Sequence, residues 1–107
     1  MQEITEVNAL KEIIQEHFIA VAVFTMPSCG VCAPLKKKIA TVLEEFPEVA
    51  TCSVDLSVVE AAKGEYQIYT APIIGLFVDG KEAMRYSAAM DIAEFREAVK
   101  RYLRLKG

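Results

Sequence analysis

The sequence predicts an α/β fold, a central mixed β-sheet flanked by helices on both faces. Three observations carry that prediction. Ile19-Ala20-Val21-Ala22-Val23-Phe24-Thr25 is apolar nearly throughout, as a central strand covered on both sides must be. Amphipathic segments with helical spacing alternate with short strand-like runs, and no repeat, low-complexity stretch or linker interrupts them. Asp79-Gly80 separates two such runs and marks a two-residue hairpin, so at least one strand pair is antiparallel and the sheet is mixed.

Each element has a local reason. A very short strand is expected near Gln2 to Ile4, after which Thr5 can cap a helix whose apolar face is Val7, Leu10, Ile13 and Ile14. That helix should end near His17, whose ring can satisfy the last carbonyls. Met26-Pro27-Ser28 then reads as a turn out of the central strand. A second helix is expected from around Cys29 or Gly30, with Leu35, Ile39, Val42, Leu43 and Phe46 on one face and Pro47 ending it. Pro34 has no N–H for the Gly30 carbonyl, which predicts a distorted first turn. Ala50 to Asp55 reads as a strand, and Ser57 as the cap of a short helix through about Lys63, broken by Gly64. Tyr66 to Ala71 leads into Pro72, with Tyr66 and Tyr69 expected to pack. Ile73 to Val78 and Glu82 to Tyr86 form the hairpin. Asp91 with Glu94 opens a last helix whose buried stripe is Ile92, Phe95, Val99, Tyr102 and Leu103, with Arg101, Arg104 and Lys106 at its C-terminal end.

Composition limits the function classes. The chain has 107 residues, 53% of them hydrophobic and 25% charged, enough for one domain to fill a core without disulfide staples. A net charge of −3 argues against nucleic acid or an anionic membrane as partner, and Lys36-Lys37-Lys38 is too short a run to alter that. No apolar run is long enough to span a membrane and no signal segment is evident, so a cytoplasmic protein working as a monomer is expected. Three cysteines, an odd number, suit a reducing compartment better than a secreted disulfide scaffold.

Cys29-Gly30-Val31-Cys32 is the stretch that carries chemistry, two thiols at the junction of a strand and a helix. A helix N-terminus offers unpaired N–H groups and the positive end of the macrodipole, which favour thiolate over thiol. Lowering a thiol from about 8.5 to about 7 raises the thiolate fraction at pH 7 about 15-fold, while lost basicity takes back about 5-fold of that. Placement must therefore supply most of the advantage. Cys29 would attack, Cys32 one turn on would resolve the mixed disulfide, and Gly30 would let a substrate backbone approach. The rival is a structural zinc site, for which only Cys52 and His17 remain as further ligands, far apart in sequence; no metal is expected. Cys52 alternates with Ala50 and Val54 and reads as a small buried apolar residue.

The order β-α-β-α-β-α-β-β-α with C-x-x-C after the apolar strand resembles the thioredoxin family. Asp55 closing the next strand, Tyr66-Gln67-Ile68-Tyr69-Thr70-Ala71-Pro72 and Phe77-Val78-Asp79-Gly80-Lys81 extend the resemblance over nearly the whole chain. It implies a thioredoxin fold and a protein-disulfide reductase whose only redox group is the Cys29-Cys32 pair, with no separate cofactor. Pro72 then corresponds to the family's cis-proline, and Ala71 to the residue whose backbone pairs with an extended substrate, beside Gly30 and Val31. Disulfide-containing proteins would be the clients and a flavin-dependent thioredoxin reductase the electron donor. A glutaredoxin-like reductase and a non-catalytic peptide-binding or chaperone module are the alternatives. The chain also departs from the family pattern. Ser28 stands in place of the tryptophan before the first cysteine, Val31 in place of a proline, Val23 in place of the buried aspartate, and Thr51 in place of that aspartate's lysine partner.

Overall fold

A computed structural model describes residues 1–106 and contains the expected alternation. The elements are β1 (Gln2–Ile4), α1 (Val7–Glu16), β2 (Ile19–Thr25), α2 (Cys32–Leu43), β3 (Ala50–Asp55), α3 (Ala61–Tyr66), β4 (Ile73–Val78), β5 (Lys81–Tyr86) and α4 (Ile92–Leu105). They build one five-stranded sheet in the order β1-β3-β2-β4-β5. β2 pairs in parallel with β3 and antiparallel with β4, which makes the sheet mixed as the hairpin signal required. Asp79 and Gly80 close that hairpin with φ of 52° and 81°, the left-handed pair that a tight turn between twisted strands demands.

β2 lies at the centre and explains its own composition. Side chains alternate across a strand, so Ala20, Ala22 and Phe24 face one layer with Leu10, Ile14, Val54 and Ile68. Ile19, Val21 and Val23 face the opposite layer with Leu35, Ile39, Phe95 and Val99. One layer is closed by α1 and α3, the other by α2 and α4. Burying both faces of one strand removes every reason for polar alternation.

Local signals set some boundaries and tertiary constraints set others. Asp91 caps α4, its Oδ1 accepting from the N–H groups of Ala93 at 2.9 Å and Glu94 at 3.2 Å, as read from the sequence. Phe95 and Val99 are buried on its inner stripe, joined by Ala98. His17 lies at the end of α1 and its Nδ1 is 3.0 Å from the Ile13 carbonyl oxygen. α1, by contrast, begins after Glu6 rather than Thr5, with no side-chain cap. Ile4 is held in the ladder opposite Val54, so Thr5 is spent leaving the sheet and the helical turn starts one residue later. The expected Ser57 cap is also displaced. Asp55 Oδ1 accepts from the Ser57 N–H at 2.8 Å and from its hydroxyl at 2.7 Å, so this hydroxyl serves a turn after β3 and α3 starts only at Ala61. Gly64 lies inside α3, which ends instead at Gln67 in the left-handed region, φ 50°.

Candidate functional site

Cys29 and Cys32 are joined by a disulfide, with their Cα atoms 5.5 Å apart. Strand β2 delivers them through the turn predicted at Met26-Pro27-Ser28, whose closing bond runs from the Cys29 N–H to the Met26 carbonyl at 3.1 Å. Cys29 is half-buried, Gly30 and Val31 are exposed, and Cys32 is only 4% exposed. One sulfur is therefore presented to solvent and the other is covered. A Cβ placed on Gly30 would meet nothing within 4 Å, so this position stays open above the pair.

The start of α2 corrects the sequence reading. Cys29 is not the helix cap; the helix begins at Cys32 and its cap is Val31. Cys29 to Cys32 form a separate turn, with the Cys32 N–H 3.4 Å from the Cys29 carbonyl, and the i to i−4 ladder begins at Leu35 on Val31, 3.2 Å. Pro34 is the cause. A helix starting at Cys29 or Gly30 would need an N–H at position 34 for the Gly30 carbonyl, and proline has none. Instead of a distorted first turn, the helix starts where Pro34 falls within its first turn and the missing donor is not needed. Cys29 thus precedes the N-terminus of α2 and lies off its positive end rather than within its cap.

Pro72 lies at the same end of the sheet. β4 runs antiparallel to β2 with Ile73 opposite Phe24, so the residue before Ile73 meets the end from which β2 leads to the cysteines. The Ala71–Pro72 peptide is cis, Pro72 is buried and Ala71 half-buried. The approach to it is pinned by a residue with no motif to mark it: the Arg85 guanidinium donates to the carbonyls of Tyr66 at 2.6 Å and Gln67 at 2.9 Å. Glu82 holds that guanidinium from its other side at 2.8 and 3.1 Å. Tyr66 packs between Phe24 and Phe77, centroids 6.1 and 5.9 Å away, as expected. Tyr69 does not pack. It is 69% exposed, because its neighbour Ile68, 2% exposed, takes the inward place in this segment.

The Thioredoxin family description matches this sequence over residues 1–101. The chain belongs to the thioredoxin family. Among curated relatives, the thioredoxin-like protein YdfQ of Bacillus subtilis is 27% identical over 108 residues, spanning 98% of this chain and 96% of that one. Among solved structures, Fasciola hepatica thioredoxin is 28% identical with a TM-score of 0.83, covering 95% of this chain and 99% of that one. A mutant thioredoxin from Halobacterium salinarum shares the fold at a TM-score of 0.84 and 20% identity, over 94% of this chain and 88% of its own. Thioredoxin-family membership together with the bonded cysteine pair supports thiol–disulfide oxidoreductase chemistry.

The remaining candidates are placed away from the pair. Cys52 is fully buried in β3 opposite Ala22, three rungs along the sheet from the Thr25–Asp55 rung at which the cysteine turn begins. Its thiol points to the Val21 carbonyl, Sγ to O 3.7 Å, and burial pushes its pKa up to about 12. His17 is on the surface at the far end of α1. Among the described residues no group of three or more His, Cys, Asp or Glu is arranged to hold a metal. Val23 is fully buried and packs among Leu35, Ile39 and Phe95, so an apolar side chain fills the place where thioredoxins carry an aspartate.

Proposed function

We propose that this protein reduces disulfide bonds in other proteins by dithiol–disulfide exchange through Cys29 and Cys32. The observation that carries the reading is the asymmetry of the pair, Cys29 half-buried at the surface and Cys32 covered, at the sheet end that also holds cis-Pro72. In the reduced protein the Cys29 thiolate attacks one sulfur of a client disulfide, forming a mixed disulfide and expelling one client thiolate. Cys32, as thiolate, then attacks the Cys29 sulfur, forming Cys29–Cys32 and expelling the second client thiolate. Two electrons pass to the client, and the two protons released by Cys29 and Cys32 end on its two thiols. The second step is intramolecular, which favours release over a long-lived adduct.

Ala71, Gly30 and Val31 are the residues proposed to meet the client. An extended client segment can lie along the Ala71 backbone, while the exposed Val31 contributes apolar contact. No prosthetic group is required, since the reduced Cys29 and Cys32 dithiol carries the two electrons. A flavin-dependent thioredoxin reductase is the proposed donor, disulfide-containing proteins of the cytoplasm the proposed clients, and a single-domain monomer the proposed working form.

Insulin reduction with thioredoxin reductase and NADPH tests this. Turnover is expected from the wild type, none from Cys29→Ser, and a trapped mixed disulfide from Cys32→Ser. Turnover only with glutathione would favour a glutaredoxin-like reductase. No turnover with any reductase, together with a Cys29→Ser variant that keeps its cellular activity, would favour the binding module and sink the reductase.

A further inference from the structure

The cleft beside the disulfide has a volume of about 210 Å³ and is lined by Thr25, Met26, Pro27, Cys29, Cys32, Ala33 and Lys36. Apart from the cysteines, Lys36 is the one ionisable residue among them. It follows Cys32 by four residues, one turn along α2, and helical side chains lean toward the N-terminus, so its chain reaches back over the turn that carries Cys32. Lys37 and Lys38 line a different groove, with Pro34, Val42 and Ile92.

We propose that Lys36 supplies the positive charge that favours thiolate at the Cys29–Cys32 pair, as a positioning residue for the exchange reaction. Two further observations support the assignment. Lys11, Lys63 and Lys100 are engaged in ion pairs, whereas Lys36, like Lys37, Lys38, Lys81 and Lys106, has no carboxylate of the described residues within 4.0 Å of its ammonium, and of these unpaired lysines it is the one that lines the cysteine cleft. Lys36, half-buried as a residue, therefore lines the cleft with its charge unneutralised by a carboxylate. Below the pair, Val23 and its neighbours provide no charge to compete with it. From the neighbouring strand, Asp55 is the carboxylate closest in register, opposite Thr25, and its Oδ1 is occupied by the Ser57 N–H and hydroxyl. The proposal rests on the pair being a working redox centre, but its test does not depend on any client.

The test is the pH profile of Cys29 alkylation by iodoacetamide in the reduced protein. Lys36→Met should move the profile to higher pH and lower the thiolate fraction at pH 7 by about 2- to 5-fold, the range for a partly exposed charge pair. Lys36→Arg should restore it, and Lys37→Met should leave it in place. Because the reduced form loses its charge partner, Lys36→Met should also shift the equilibrium with glutathione toward the disulfide by up to the same factor. Raising salt to about 1 M should move the wild-type profile the same way, a measurement that stands even if Lys36→Met folds poorly. A Lys36→Met profile that overlays the wild type, an equal movement in Lys37→Met, or a wild-type profile indifferent to salt would each overturn the role of Lys36. A profile that shifts as expected in a protein that never reduces insulin would instead leave Lys36 in place and remove the client reading.

Discussion

Two buried residues show how single positions shape the chemistry. Val23 has no exposed surface and sits within the layer under α2 and α4. Val23→Asp would place a carboxylate among Leu35, Ile39 and Phe95 with no charge of opposite sign in that layer. Its ionised form is disfavoured in the folded chain, so its folded pKa lies above the unfolded value of about 3.9. The variant should be least destabilised below pH 4, and its deficit against the wild type should grow as pH rises above that, reaching several kcal/mol near neutrality. Urea unfolding at pH 4 and pH 7 measures this, and a deficit independent of pH would contradict it. Cys52 gives a second expectation. With its thiol buried and pushed up to about 12, it should resist alkylation while the protein is folded. Iodoacetamide labelling of the reduced protein should modify Cys29 in the native state and all three cysteines in denaturant.

At the scale of the element, caps and turns decide where helices begin. α4 is capped by Asp91 through two backbone N–H groups, so Asp91→Ala should cost about 1 kcal/mol in chemical denaturation. Asp91→Asn should recover most of it. α2 has no such side-chain cap, and Pro34 sets its start instead. The same proline leaves Cys29 to Cys32 as a distinct turn ahead of the helix, which is what lets Cys29 sit half-exposed while Cys32 enters the first helical turn. Arg85 plays the corresponding part on the other side of the site, tying the end of α3 and Gln67 to the edge strand β5 and so fixing the path that leads to Pro72.

Across the whole molecule, the sheet separates two apolar layers and few charged contacts link distant parts of the chain. Arg96 on α4 reaches Glu45, just past the end of α2, through bonds of 2.7 and 2.8 Å. The Arg96 hydrogen bonds hold the Glu45 carboxyl below its ordinary 4.5. A depressed carboxyl contributes stability above its unfolded pKa and loses it as pH falls through the folded one. Arg96→Met should therefore flatten the loss of stability below about pH 4.5 and have a smaller effect in high salt, read as melting temperature across pH. Both partners are solvent-exposed, so the contribution is small beside the apolar layers that hold α2 and α4 to the sheet.

What the sequence determined by itself is local. The apolar β2, the helical stripes, the Asp79-Gly80 turn, the Asp91 cap and the Cys29–Cys32 spacing follow from periodicity and turn chemistry within a few residues. Cys52 was legible as a core residue for the same reason. The tertiary structure decided what depends on competition or on distance. The Ser57 hydroxyl had two possible uses, and Asp55 took it; Thr5 could cap only if the β1–β3 ladder had ended sooner; Ile68, not Tyr69, took the inward place in their segment. Arg85 gave no signal, since it acts eighteen residues from its acceptor; the lysine trio read as a solvated helix face able to favour a nearby thiolate, and only the folded helix α2 brings Lys36 rather than Lys37 or Lys38 to the cysteine cleft. Periodicity encodes which face is buried, but only the packed fold decides which polar group meets which.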